Sequence, residues 1–172
     1  MSTPIVSAGQ VPEEIKDYQP GKPMGRRSPK VRISLASHSD AVRFLKLEAL
    51  CFEMEPNRDT IYFWTPVVER LWTYKAEVRG KIVGGLIAMP TRQGDWYVNS
   101  LFVHPAYRNS GIASMLLVGF LRSVEGSRVL LDVKTDRPYL LDFYGKFGFE
   151  KQTLLKDHYR DGTDRFLLTR KA

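Results

Sequence analysis

The sequence predicts an α+β fold, a mixed and mostly antiparallel central sheet with helices flanking it. Three observations point there. Residues 71–103 hold three apolar-rich runs, LWTYKAEV, IVGGLIAM and WYVNSLFV, separated only by short turns, which is the pattern of a strand meander. An apolar helical stretch, Ile112 to Leu121, then leads into a further strand, RVLLDVK, as a crossover connection does. A second helical segment from Pro138 to Phe147 is followed by two more strand-like runs, Lys151 to Lys156 and Arg165 to Arg170.

The 172 residues, 43% hydrophobic, suffice for one domain with its own core and are too few for two. That domain is assigned to residues 30–172. Residues 1–29 carry Pro4, Pro12, Pro20, Pro23 and Pro29 with three glycines and no apolar period, so they read as a flexible tail. No run approaches the roughly 20 apolar residues of a membrane span, and no secretory leader is recognisable. A cytoplasmic protein is expected, with no membrane partner. The single cysteine, Cys51, has no partner for an internal disulfide, and no Cys/His cluster has metal-ligand spacing, so no metal is expected. Cys51 lies in an apolar helical pattern and reads as a packing residue. A formal charge of +7 favours anionic partners: a phosphorylated cofactor, an acidic surface such as the ribosome, or nucleic acid. No helix-turn-helix, zinc or RNP-like motif supports the last.

Taken in order, VRISL at residues 31–35 alternates apolar and polar and reads as a strand with one buried face. Ser39 and Asp40 cap a helix running to Phe52, with Val42, Leu45 and Ala49 on one face. FEMEPNRDTIYFW reads as a loop or short helix, and Thr65-Pro66, an N-cap followed by a first-turn proline, predicts a second short helix starting there. Arg79-Gly80-Lys81 turns the first hairpin, and Gly84-Gly85 within the middle strand marks a bulge or a close backbone approach.

The most informative stretch is residues 96–114, WYVNSLFVHPAYRNSGIAS, which reads as strand, short loop and helix start. The first backbone N–H groups of a helix lack internal acceptors, and the macrodipole adds partial positive charge, so such a start cradles anions. Gly111 and Ala113 are small enough to let a pyrophosphate reach those amides, and Arg108 adds a fork of donors. His104-Pro105 reads as a strand-ending turn. RNSGIAS is neither a dinucleotide fingerprint nor a P-loop.

RNSGIAS does resemble the [QR]-x-x-G-x-[GA] loop of the GNAT superfamily of acyl-coenzyme A-dependent N-acetyltransferases, through Arg108, Gly111 and Ala113. Downstream, LLDVKTDRPYLLDFYGKFGFE is similar to that family's F-Y-x-K-x-G-F segment, through Phe143, Tyr144, Lys146, Gly148 and Phe149. With the IVGG-type hairpin upstream, that loop, and the strand and helix of this segment, four elements stand in the family's order over about residues 31–170. The resemblance implies acetyl-coenzyme A as cofactor and two central strands that splay apart, here at Leu101 to Val103 and Leu131 to Val133, so that the pantetheine arm is taken up like an added strand. The cofactor contacts it implies are Leu101, Phe102, Val103, Arg108, Asn109, Ser110, Gly111, Ile112, Ala113, Ser114, Asp136 and Tyr144.

An amine attacking a thioester needs a neutral nitrogen, a stabilised oxyanion and a proton for the departing thiolate. By resemblance Asp132 is the base, acting through a water, at a position that carries a glutamate in the branch acetylating ribosomal-protein alanine termini. An ion pair with a neighbouring Lys or Arg is the alternative account of Asp132. Tyr144 is the acid, with core packing as its alternative, and the backbone N–H near Val103 polarises the carbonyl. KDHYRDGTDRFLLTR resembles the Y-Y-x-D-G-x-D-A-x-x-M segment of protein N-terminal acetyltransferases, through His158, Tyr159, Asp161, Gly162 and Asp164, with Arg165 where the family has a small residue. This implies that His158 and Tyr159 grip a peptide, a plain hairpin turn at Asp161-Gly162 being the other reading. Phe52, Glu53 and Glu55 would form the opposite acceptor wall. The expected activity is acetyl transfer to a primary amine, foremost a protein N-terminal α-amine, by direct attack in a ternary complex. A small-amine acetyltransferase and a non-catalytic acyl-coenzyme A binding module stay open.

Overall fold

The computed structural model describes residues 30–52 and 61–172. The tail, Glu53 and Glu55 lie outside them. Seven strands form one sheet in the order β1-β2-β3-β4-β5-β7-β6: β1 Val31–Leu35, β2 Trp72–Val78, β3 Lys81–Pro90, β4 Trp96–Val103, β5 Val129–Lys134, β6 Glu150–Leu155 and β7 Arg165–Arg170. Among the described residues four helices accompany them, α1 Ala41–Cys51, α2 Ile61–Arg70, α3 Ile112–Ser123 and α4 Tyr139–Gly145. The α+β expectation holds: β1/β2, β5/β7 and β6/β7 run antiparallel, and β4/β5 parallel. Arg79 and Gly80, at φ 49° and 75°, supply the two left-handed residues that a tight hairpin between β2 and β3 requires. No helix among the described residues is long and apolar enough to cross a membrane.

Two compact units make up the chain, one running to Ile87 and including Ser100–Ser123, the other Ala88–Asn99 with Val124–Ala172. The first is built on aromatic packing. Phe44 and Trp64 stack at 5.0 Å, and Phe102 meets their edges at 6.1 and 6.0 Å. Ala41, Leu47, Val67, Val68 and Ile87 complete this cluster. Gly85 is what admits it, because a Cβ there would lie 2.5 Å from the Phe44 ring and 2.8 Å from that of Phe102.

Two local expectations need correction. α1 does not bury the Val42 face: Val42 is 52% exposed, and Ala41, Phe44, Leu47 and Glu48 turn inward instead. Aromatic stacking and the Trp64 indole N–H, which donates to Glu48 at 2.8 Å, fix that rotation. Nor does α2 start at Thr65-Pro66, since the chain is already helical at Ile61 and Pro66 lies inside the helix. An interior proline costs about 3 kcal/mol, but fully burying side chains such as Trp64, Val67 and Val68 returns about 1.5–3 kcal/mol apiece. Before α1, a single 3-10 turn spans His38–Asp40, and the Asp40 carboxylate caps it by accepting from the Ser37 N–H at 2.9 Å.

In the second unit β5 alternates strictly, with Val129, Leu131 and Val133 buried while Leu130, Asp132 and Lys134 stand half-buried on the other face. β6 ends the sheet and is exposed along nearly its whole length, with Gln152 inserted as a register irregularity opposite β7.

If Gly85 admits the aromatic cluster, Gly85→Ala forces overpacking and lowers stability by about 1–3 kcal/mol in chemical denaturation. Gly145→Ala, whose Cβ meets nothing within 4 Å, stays within about 0.5 kcal/mol of the parent.

Candidate active site

In the first unit, β4 ends at Val103 and a 3-10 turn, Pro105–Tyr107, leads into α3. The His104 N–H donates to the Val83 carbonyl at 2.8 Å, and its ring Nδ1 accepts from the Ala106 N–H at 3.1 Å. His104 thus closes the strand and caps the turn, as a strand-ending role requires. Asn109 and Gly111 then take left-handed φ values of 60° and 82°, and the Ser110 hydroxyl donates to the Tyr107 carbonyl. The first turn of α3 is closed by the Met115 N–H on the Gly111 carbonyl at 3.0 Å. Up to Ser114, therefore, the amides at the helix start have no acceptor within the helix.

Gly84 sets where that helix start lies. A Cβ at Gly84 would come within 3.1 Å of the Phe102 carbonyl oxygen, 3.1 Å of Ile112 and 3.2 Å of Leu116. α3 packs on β3 with no room to spare, and of the two readings for Gly84-Gly85 the close approach is the one observed. The far end of α3 is held by the Tyr74 hydroxyl, donating to Ser123 at 2.8 Å. Arg108 is partly turned inward: its Nε donates to the Val103 carbonyl at 3.3 Å and Nη2 to that of Cys51 at 3.5 Å. Arg108, Asn109 and Ser110 are exposed, while Ile112 is buried and Gly111, Ala113 and Ser114 are half-buried. A left-handed glycine, small neighbours and an open loop over unbonded amides fit the diphosphate of coenzyme A. Phe52 ends α1 with its ring 5.9 Å from Phe102.

The second unit holds the polar cluster. The registered pairing of β4 with β5 consists of Trp96 opposite Val129 and Tyr97 opposite Leu130. The two strands are thus not paired along their whole length. Tyr97 and Asp132 consequently share a face of the sheet, and the Tyr97 hydroxyl donates to Asp132 Oδ2. From the loop between β6 and β7, the Tyr159 hydroxyl donates to the same oxygen at 2.9 Å, and the two hydroxyl oxygens lie 3.4 Å apart. Asp132 Oδ1 faces Arg165 Nε at 3.2 Å. The ion-pair account of Asp132 is therefore realised, although a pair and a proton acceptor are compatible roles.

Arg165 is 7% exposed and reaches further. Its Nη1 and Nη2 bind the two oxygens of Asp161 at 3.0 and 2.7 Å, and its guanidinium carbon sits 4.3 Å from the centre of the Tyr159 ring. That fork holds the Asp161 carboxyl well below the usual carboxylate range. The other acids of the loop shape the turn: Asp157 accepts from the Gly162 N–H at 2.8 Å, and Asp164 from the Asp157 N–H at 3.0 Å. His158 is exposed with its ring edge against Tyr159 at 4.9 Å. Asp136 is exposed in the turn after β5.

Burial, followed by the hydrogen bond to Asp132, raises the Tyr97 pKa far above that of a free phenol. Tyr144, on α4, is 8% exposed and packs edge-on against Phe143 at 5.0 Å and Phe149 at 5.7 Å. Burial and the nearby charge of Asp132 push its pKa up as well. Gly148, at φ 81°, turns the chain so that the N–H groups of Phe147 and Phe149 both donate to the Tyr144 carbonyl, at 2.9 and 3.3 Å. The glycine and two aromatics of that segment are thus what fix Tyr144 in place.

Tyr97 and Arg165 were not foreseen as members of the cluster. Tyr97 carried no motif signal, while Arg165 did, since an arginine replaces a small residue there.

Residues 40–149 match the acetyltransferase (GNAT) family. An N-alpha-acetyltransferase of Sulfurisphaera tokodaii is 27% identical over 163 residues, spanning 83% of this chain and 94% of that protein. Among solved structures, the ribosomal-protein-S18-alanine N-acetyltransferase of Escherichia coli superposes with a TM-score of 0.71 at 19% identity, over 82% of this chain and 93% of that one. Naa50 of Arabidopsis thaliana, in complex with a bisubstrate analogue, gives 0.69 at 21% identity, over 83% and 99%. With the family match spanning most of the described residues, and the sheet order and helix-start loop in agreement, the chain belongs to the acetyltransferase (GNAT) family and is an acetyl-coenzyme A-dependent N-acetyltransferase.

Proposed function

We propose that the acceptor is the N-terminal α-amine of a protein or peptide, acetylated by direct attack in a ternary complex. The observation that carries this reading is the pair of hydroxyls on Asp132. Each donates its O–H to the carboxylate in a hydrogen bond and keeps lone pairs for an incoming amine N–H, so the cluster orients a nitrogen without placing a bare charge against it. An α-amine, with a pKa of about 8, gives up its proton near neutral pH far more readily than a lysine amine at about 10.4. The likeness to a relative named N-alpha-acetyltransferase, spanning nearly all of that protein, supports the same acceptor.

Coenzyme A supplies the acetyl group as a thioester when bound. In this reading the amides from Gly111 to Ser114, with Asn109, Ser110 and Arg108 at the rim, hold its diphosphate, and the main chain of Leu101, Phe102 and Val103 aligns the arm. Asp136 flanks it. Asp132 receives the amine's proton, directly through a tyrosine hydroxyl or through a water. Tyr144, kept protonated by burial, offers its O–H to the departing sulfur. We assign His158, Tyr159 and Phe52 to binding the acceptor. The formal charge of +7 suits an acidic cytoplasmic surface, the ribosome included, as the place where such termini are met.

Mass spectrometry of a peptide panel beside a small-amine panel tests the acceptor. Modification at peptide α-amines is expected, and turnover confined to small amines would overturn the proposal. Tyr144→Phe should lower kcat by at least about 100-fold. Gly111→Val should weaken coenzyme A binding, measured by calorimetry, by at least about tenfold.

A second measurement concerns pH. Tyr74, Tyr97, Tyr144 and Tyr159 all have raised pKa values, burial being the first cause in each. A group whose folded pKa is raised stabilises fully below its unfolded value, and that stabilisation fades as pH climbs past it. Phenol absorbance should therefore show these four titrating above the pH of about 10 at which a free phenol does.

A further inference from the structure

Arg165 is one of the residues at which this chain parts from the related N-terminal acetyltransferase segment, and its guanidinium is almost fully committed. One edge faces Asp132 on β5, Nε to Oδ1 at 3.2 Å. The fork takes both oxygens of Asp161 at 3.0 and 2.7 Å, and Nη1 also reaches the Thr163 carbonyl at 3.3 Å. Its plane lies by the Tyr159 ring, 4.3 Å from guanidinium carbon to ring centre. Three separate pieces of backbone, β5, β7 and the β6–β7 loop, are thus tied by one side chain that is 7% exposed. Lys134 assists more weakly, with Nζ 4.0 Å from Asp161.

The loop needs such a tie. Asp157 and Arg160 hold left-handed φ values of 39° and 55°, Tyr159 is 50% exposed, and Asp161 and Gly162 are exposed. Left to itself, an exposed segment with two strained non-glycine residues samples many conformations. A tyrosine on it would reach a strand carboxylate only part of the time. The Tyr159 hydroxyl nevertheless stands 2.9 Å from Asp132.

We propose that Arg165 is a positioning residue: it pins the β6–β7 loop to β5 and thereby holds the Tyr159 hydroxyl on Asp132, presenting a preformed pair of hydroxyls to the amine. A planar fork can satisfy both carboxylates and stack on the ring at once, whereas a lysine ammonium cannot span them. The inference rests on the functional reading above for its catalytic meaning, but the pinning itself does not.

The test compares the full chain with its Arg165→Met, Arg165→Lys and Asp161→Asn variants. Amide hydrogen exchange across residues 156–164 reads the pinning, and acceptor kcat/KM against the KM for acetyl-coenzyme A reads its consequence. Expected for Arg165→Met is at least about tenfold faster exchange in that loop and about a 100-fold lower acceptor kcat/KM, the size a misplaced contact produces, with the acetyl-coenzyme A KM within about twofold of the parent. Arg165→Lys should fail to restore either quantity. Asp161→Asn, which keeps the Arg165 contact to Asp132 and loosens only the loop end, should fall between parent and Arg165→Met, and it serves in place of the latter should that variant not fold. Loop exchange within about twofold of the parent in both Arg165→Met and Asp161→Asn would overturn the proposal. A parent that acetylates no peptide would sink the N-terminal reading alone, the exchange data still deciding whether Arg165 pins the loop.

Discussion

The fold depends on two adjacent places where a side chain would not fit. Gly84 and Gly85 occupy the middle of β3, and the space a Cβ would take is already filled: by the Phe102 carbonyl, Ile112 and Leu116 around Gly84, and by the rings of Phe44 and Phe102 around Gly85. The strand is thin at that point, so α3 and the aromatic cluster can both pack closely on it. Because Ile112 and Leu116 belong to the first turns of α3, the same closeness locates the helix start and its unbonded amides. Packing density here fixes the position of the amides to which we assign the diphosphate.

A second constraint operates on the other face of β5. Asp132 stands half-buried in a strand whose neighbours are apolar, and a carboxylate so placed needs partners. It obtains them from three segments, β4, the β6–β7 loop and β7, which lie 27 to 35 residues away in sequence. Satisfying the charge therefore organises the local structure, and two of those donors, the Tyr97 and Tyr159 hydroxyls, are the ones we propose to address the amine.

Local patterns carried most of the architecture in the sequence. The meander, the crossover helix and the final strands were legible because each is written in the chemistry of consecutive residues, and the RNSGIAS loop was legible because a left-handed glycine before a helix leaves a short signature. Local rules mislead where tertiary packing outweighs them. Thr65-Pro66 looks like a helix start only if Trp64 is ignored, and burial of Trp64 carries the helix through the proline. α1 presents Phe44 rather than Val42 to the interior because one stacking partner, 20 residues on, decides between two plausible faces. Tyr97 escaped notice for a related reason, since its meeting with Asp132 depends on a strand register that no local pattern announces. Arg165 was visible as a departure from a motif, yet what it binds was not.

The rim of the sheet has its own logic. β6 has a neighbour on one side only and is exposed along nearly its whole length, the arrangement most apt to recruit a strand from another molecule. Gln152 interrupts its register, and Lys151 lays its ammonium 4.3 Å over the Phe166 ring. An interrupted register and a charged border make this strand a poorer template for edge-to-edge pairing than a flat apolar one.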